Sequence, residues 1–132
     1  MSFEYHWNSS VSSKFVFISY SSVDNEVANA VAKKLVDNEI DYFLDRKDVD
    51  WGDHVNEEIQ QGLKKASHII IIVSPASLKS GWVSYEVGYA IGKNKTVLPL
   101  LTHPSIDVPS FMSELHYKTN IESIDRYFKE RL

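Results

Sequence analysis

His68-Ile69-Ile70-Ile71-Ile72-Val73-Ser74-Pro75-Ala76-Ser77-Leu78 is the stretch on which the fold turns. Its apolar run has the length of a strand and is far too short to cross a bilayer. Ser74 and Pro75 follow as a helix cap and a first helical residue, so strand passes straight into helix. The same order repeats upstream. Residues 14–19 read as a buried strand, 23–38 as a helix with Val27, Ala30, Val31 and Leu35 on its apolar side, and 41–44 as a short strand. A polar loop over 45–53 leads into a helix with Val55, Ile59, Leu63 and Ala66 at core spacing. Downstream, the spacing predicts a helix from Trp82 to about Lys93, a strand over 95–101 and a loop marked by Pro104 and Pro109. An edge-strand candidate covers 116–119, and a closing helix covers 121–132 with Ile124 and Phe128 inward beside Tyr127.

Strands that alternate with helices imply a parallel sheet, because parallel neighbours are joined by right-handed helical crossovers. The expectation is an α/β, flavodoxin-like single domain: a five-stranded parallel sheet of order 2-1-3-4-5, with helices on both faces, over residues 14–132. Residues 1–13, polar and aromatic without a period, are expected to form a flexible N-terminal leader.

The chain has 132 residues, enough for one full core, with 43% hydrophobic and 24% charged residues. Fourteen basic against 18 acidic residues give a net charge of −4, without a basic tract, which argues against nucleic acid as a partner. No cysteine is present, so disulfides and thiolate-bound metals are excluded. His6, His54, His68, His103 and His116 are scattered without metal-ligand spacing, so no metal site is expected. Nothing resembles a signal peptide or a membrane span, and a cytoplasmic protein without membrane partners is expected.

In open sheets of this type ligands bind beyond the carboxyl ends of the strands, where strand order reverses. The segments there are 20–22, 45–53 and 74–86, carrying Tyr20, Ser21, Ser22, Asp45, Arg46, Trp51, Gly52, Ser74, Trp82 and Glu86. Ser21 and Ser22 read equally well as a helix N-cap. Val83, Val87, Ala90 and Ile91 form an apolar stripe, which leaves Trp82, Glu86 and Tyr89 on a neighbouring face free of the core. An aromatic plane beside a carboxylate suits a ligand with a flat base and developing positive charge. No G-x-G-x-x-G follows the first strand and no Gly-Lys-Ser/Thr phosphate loop occurs, which argues against dinucleotide-fold and phosphoryl-transfer chemistry. A phosphorelay receiver would need acids after the first strand and an Asp after the third, where Tyr20-Ser21-Ser22 and Ser74 stand. Gly88 and Gly92, inside the helix, are expected to serve close helix packing. Asp45, Asp48, Asp50 and Asp53 read as a solvated acidic loop, since their spacing is not that of a calcium loop.

Phe17-Ile18-Ser19-Tyr20-Ser21-Ser22 with Asp24, Leu44-Asp45 leading to Gly52, and Ser74-Pro75 followed by Ser80-x-Trp82 and Glu86 together resemble the Toll/interleukin-1 receptor (TIR) domain family, in its bacterial NAD-cleaving type. The resemblance implies cleavage of the nicotinamide–ribose bond of NAD+, giving nicotinamide and an ADP-ribose-type or cyclic signalling product, and a place in anti-phage immunity with a downstream effector that senses the product. Glu86 would then be the catalytic carboxylate, and Tyr20, Ser21, Ser22, Asp45, Ser74 and Trp82 would bind substrate. No cofactor is needed, since NAD+ is the substrate. Arg46, Asp48, Trp51 and Gly52 would lie in the loop that reaches a neighbouring TIR domain, making self-association the expected partnership. Two alternatives differ in class: a non-catalytic TIR adaptor, and a nucleoside deoxyribosyltransferase-like enzyme that also sets a carboxylate beside a base pocket.

Overall fold

The computed structural model describes residues 2–6, 14–46, 57–112 and 115–130. Its elements in chain order are β1 (Ser2–His6), β2 (Phe15–Ser19), α1 (Asn25–Asp37), β3 (Asp41–Arg46), α2 (Glu57–Lys65), β4 (His68–Val73), α3 (Pro75–Leu78), α4 (Gly81–Gly92), β5 (Thr96–Leu101) and α5 (Ser123–Glu130), with single 3-10 turns at Ser22–Asp24 and Ser110–Met112. The sheet order is β1-β3-β2-β4-β5. β3, β2, β4 and β5 are mutually parallel, with Phe17 opposite Phe43 and Ile69, and Ile71 opposite Pro99. The α/β class and the expected order of these four strands therefore hold.

The sheet is buried on both faces, so its strands carry apolar residues at consecutive positions and alternate between two cores. Val16, Ile18, Ile70 and Ile72 pack with Val31 and Leu35 of α1 and with Ile124 and Phe128 of α5. Phe15, Phe17, Ile69, Ile71 and Val73 pack with Ile59 and Leu63 of α2 and with Val83, Val87 and Ala90 of α4. In α1 the buried set is Ala28, Val31, Ala32 and Leu35; Ala30, expected inward, is exposed because the helix is rotated toward Ala28 and Ala32. Ile59, Leu63 and Ala66 are buried as their spacing requires, while Val55 lies outside the described residues.

Two expectations are corrected at the sheet edges. The expected leader is a strand over Ser2–His6, which pairs antiparallel with β3 from Ser2 opposite Arg46 to His6 opposite Tyr42. Its aromatic and polar residues alternate with the period of a strand, and pairing satisfies the exposed edge of β3. Residues 7–13 lie outside the described residues. At the other edge, residues 116–119 make a single parallel bridge rather than a fifth parallel strand, with Lys118 donating to Pro99 and Leu101 donating to Lys118. The ladder does not extend toward the start of β5 because the next donor on that side is position 99, and a proline has no N–H to give, while toward its carboxyl end β5 itself stops at Leu101.

α1 and α4 both end in Schellman turns. Ile40 N–H reaches Leu35 O at 2.9 Å and Lys95 N–H reaches Ala90 O at 2.9 Å, with Glu39 and Asn94 in the left-handed region. α5 is pinned to α1 by Lys34, whose Nζ lies 2.7 Å from Glu122 Oε2 and 2.9 Å from Asp125 Oδ2, while Asn38 donates to Asp125 Oδ1 at 2.8 Å. The hydrogen bond from Lys34 holds the Asp125 carboxyl below its ordinary range, helped by that from Asn38. No helix among the described residues is long and apolar enough to cross a membrane.

Candidate functional site

Parallel strands bring their carboxyl ends to one edge, and strand order reverses between β2 and β4, so the ends of these two strands frame the site. Along β2 the residues facing α2 and α4 are Phe15, Phe17 and then Ser19, where that face turns from apolar to hydroxyl. Opposite Ser19 stands Glu86 of α4. Ser19 Oγ donates to Glu86 Oε1 at 2.6 Å across 67 residues of sequence, and both side chains are 0% exposed.

Glu86 is thus not on a face free of the core, as expected, but within the buried stripe. Val83, Glu86, Val87 and Ala90 follow the i, i+3, i+4, i+7 spacing of one helix face, and all four are buried. Ile91, assigned to that stripe from the sequence, is turned to solvent instead. The spacing was readable, but a carboxylate at a core position is discounted until its partner is known. A carboxylate enclosed in this way is tolerable only when hydrogen-bonded, and Ser19 supplies such a bond.

A second hydrogen bond closes the same edge, from Ser74 Oγ to Asp24 Oδ2. Ser74 follows β4 and caps α3 reciprocally with Ser77: Ser77 N–H donates to Ser74 Oγ at 3.1 Å and Ser74 N–H to Ser77 Oγ at 2.8 Å. Two residues after α3, Ser80 caps α4 by accepting from Val83 N–H at 3.5 Å. Two consecutive caps therefore set the position of α4 and, with it, Glu86.

The expected site residues divide. Tyr20 is buried in the core on the α1 and α5 side, across the sheet from Glu86, because alternation carries the residue after Ser19 to the opposite face. Ser21 occupies the N-cap position of the 3-10 turn without a side-chain cap bond, and Ser22 opens that turn, partly buried. Ser74 is buried, with its hydroxyl engaged by Ser77 and Asp24. The backbones of Asp45 and Arg46 end β3 and that of Trp82 lies in the first turn of α4, while their side chains lie outside the described part. Asp48, Asp50, Trp51, Gly52 and Asp53 lie outside the described residues. Ser19 and Asp24, which the sequence marks only as members of the motif that carries the family resemblance, belong to the site geometry; the polar residue that ends an otherwise apolar strand is the available sign of Ser19.

Fold and site define an α/β domain with a buried carboxylate at the switch point of a mainly parallel sheet. Residues 16–130 match the TIR domain family model, and the chain belongs to the TIR domain family. It is 29% identical over 119 residues to the 2' cyclic ADP-D-ribose synthase BtTIR of Bacteroides thetaiotaomicron, covering 83% of this chain and 42% of the relative. It is 31% identical over 72 residues to the NAD(+) hydrolase TirS of Staphylococcus aureus (strain MSSA476), covering 54% of this chain and 26% of that protein. The chain thus spans less than half the length of either curated relative. Among solved structures, the TIR domain of the Toll-related receptor TRR-2 from Hydra magnipapillata superposes with a TM-score of 0.66 at 25% identity, over 87% of this chain and 91% of that one. A metazoan TIR-STING receptor from C. gigas, solved with 2',3'-cGAMP, shares the fold with a TM-score of 0.65 at 20% identity, over 86% and 38%.

Proposed function

We propose that this domain cleaves the nicotinamide–ribose bond of NAD+, with Glu86 as the catalytic carboxylate, and releases nicotinamide and an ADP-ribose-type product, cyclic or linear. The observation that carries the reading is the buried carboxylate of Glu86, oriented by Ser19 at the carboxyl end of β2. The two bacterial relatives, named as a cyclic ADP-ribose synthase and an NAD+ hydrolase, support it.

The chemistry asks for little beyond such a group. The C1'–N bond breaks with its electron pair leaving on nicotinamide, which departs neutral from a cationic glycoside, so no strong general acid is needed. The remaining burden is the oxocarbenium-like ribose, and a carboxylate aimed at it stabilises charge that exists only in the transition state. Water, an adenine nitrogen or a ribose hydroxyl then captures the cation and decides the product. Trp82, one turn before Glu86, would wall or stack the site, and Asp45, Ser21 and Ser22 would meet ribose or phosphate oxygens. The reading carries with it a role in anti-phage signalling, with an effector that senses the product.

The test is incubation of the purified chain with NAD+ over a series of protein concentrations, with nicotinamide and products read by mass spectrometry. Glu86→Gln should lose about a hundredfold or more in rate while staying folded, since glutamine keeps an acceptor for Ser19 at nearly constant volume. Turnover near wild type in the folded variant removes Glu86 from the chemistry. Absence of nicotinamide at every concentration favours the adaptor, and base exchange on deoxynucleosides favours the deoxyribosyltransferase.

A further inference from the structure

We infer that Ser19 is the positioning residue of Glu86: its hydroxyl holds the carboxylate in the orientation that catalysis uses. The inference rests on the reading of Glu86 as the carboxylate that meets the substrate. Ser19 ends β2 on the face whose earlier members, Phe15 and Phe17, are core, so its hydroxyl is placed by strand alternation rather than by a loop. It reaches Glu86 at 2.6 Å, and neither side chain has any exposure through which water could take over the bond. Val83, Val87 and Ala90 on the same helix face are buried with the sheet and fix the helix against it. A glutamate has three rotatable bonds, and a short bond from the rigid centre of the sheet removes most of that freedom. A misplacement of about 1 Å can cost on the order of a hundredfold in rate, so a hydroxyl that never touches the substrate can still govern turnover.

Ser19→Ala removes the donor at nearly constant volume, and Ser19→Cys keeps a weak one. The expected result is a fall in kcat of about tenfold to a hundredfold for Ser19→Ala, a smaller fall for Ser19→Cys, and KM within about twofold of wild type. In a Glu86→Gln background Ser19→Ala should cost nothing further, because the two residues act as a unit. A second readout needs no turnover: with glutamate 13C-labelled at Cδ, the resonance assigned to Glu86 by its disappearance in Glu86→Gln should move in Ser19→Ala. A lower melting temperature with unchanged kcat per folded molecule, or equal losses in both backgrounds, makes Ser19 merely structural and overturns the inference. If Ser19→Ala does not fold, Ser19→Cys decides by the same criteria. If the wild-type chain releases no nicotinamide, the NAD+ reading fails and the resonance judges Ser19 alone: a moved signal upholds the positioning, an unmoved one ends it.

Discussion

Glu86 is a carboxyl side chain where burial of a polar group is costly, and it is paired there with Ser19, the hydroxyl that follows Phe15 and Phe17 on the same face of β2. Trp82 opens the same helix, and Trp82→Ala should lower kcat/KM for NAD+ with some loss of melting temperature; unchanged efficiency in the purified variant removes Trp82 from the site. At the opposite end of the sheet, His68 titrates under constraint. Its ring lies 5.8 Å from that of Tyr127 and 5.6 Å from that of Phe128, both edge-on, and its Nδ1 is 2.7 Å from Ser67 Oγ. Burial pushes its value below the ordinary 6.5, and the charge of Lys14 adds to this. The unfolded chain therefore binds the proton first as pH falls, so the contribution of His68 to stability is full above about pH 6.5 and declines below it, down through the lowered folded value. Urea midpoints of wild type should drop between about pH 7.5 and about pH 5, and His68→Phe, which keeps the aromatic contacts, should show a visibly smaller drop. Equal drops in both proteins exclude His68 as the titrating group.

Among the helices, glycine has opposite meanings in α2 and α4. A Cβ on Gly62 would stand 2.9 Å from Phe43 Cγ, and the Phe43 ring is itself stacked on Phe17 with centroids 5.3 Å apart. Gly62 is therefore the close-packing glycine, and Gly62→Ala should destabilise the domain by about 1–3 kcal/mol despite the better helix propensity of alanine. Gly88 and Gly92, expected from the sequence to serve close packing, meet nothing within 4 Å among the described residues. Gly88→Ala should accordingly stabilise by about 0.5–1 kcal/mol, because the folded helix gains propensity and no contact is strained. Thermal melts of the two variants should move in opposite directions, and a destabilised Gly88→Ala would mean that its face is covered.

The whole domain sets two cores back to back, α1 and α5 on one face of the sheet and α2 and α4 on the other, and leaves the Ser19–Glu86 pair at the strand ends. β3 runs parallel to β2 and ends at Arg46, so its carboxyl end lies at the same edge of the sheet as Ser19, and the assembly segment over 47–56, which lies outside the described residues, follows it in sequence. If that segment completes the site of a neighbouring copy, activity depends on association, because the site is then whole only in the assembled state. Specific activity should then rise with protein concentration, and Trp51→Ala, or charge reversal at Arg46 with Asp48, should lower self-association and nicotinamide release together. Sedimentation velocity beside nicotinamide release is the measurement. Flat specific activity with fully active monomeric loop variants would mean that the single chain is the catalytic unit.

The sequence by itself determined the α/β class, the four parallel strands and their order, the cap at Ser74, and membership of the family carried by Phe17–Ser22, Ser74-Pro75 and Glu86. Apart from the order, which follows from right-handed crossovers in an alternating chain, these are properties of local period and local chemistry: the apolar runs, the i, i+3, i+4 stripes and the Ser-Pro start each act within one element. Which individual side chains of distant segments meet was decided only by the tertiary structure. Glu86 is paired in the core because Ser19, 67 positions earlier, faces it; Tyr20 packs in the opposite core because alternation sends it through the sheet; Gly62 is the close-packing glycine because Phe43 lies under it. The outer edges followed the same rule. Ser2–His6 becomes a strand because β3 offers an unpaired side, and residues 116–119 fail to become one because Pro99 of the neighbouring strand has no proton to donate.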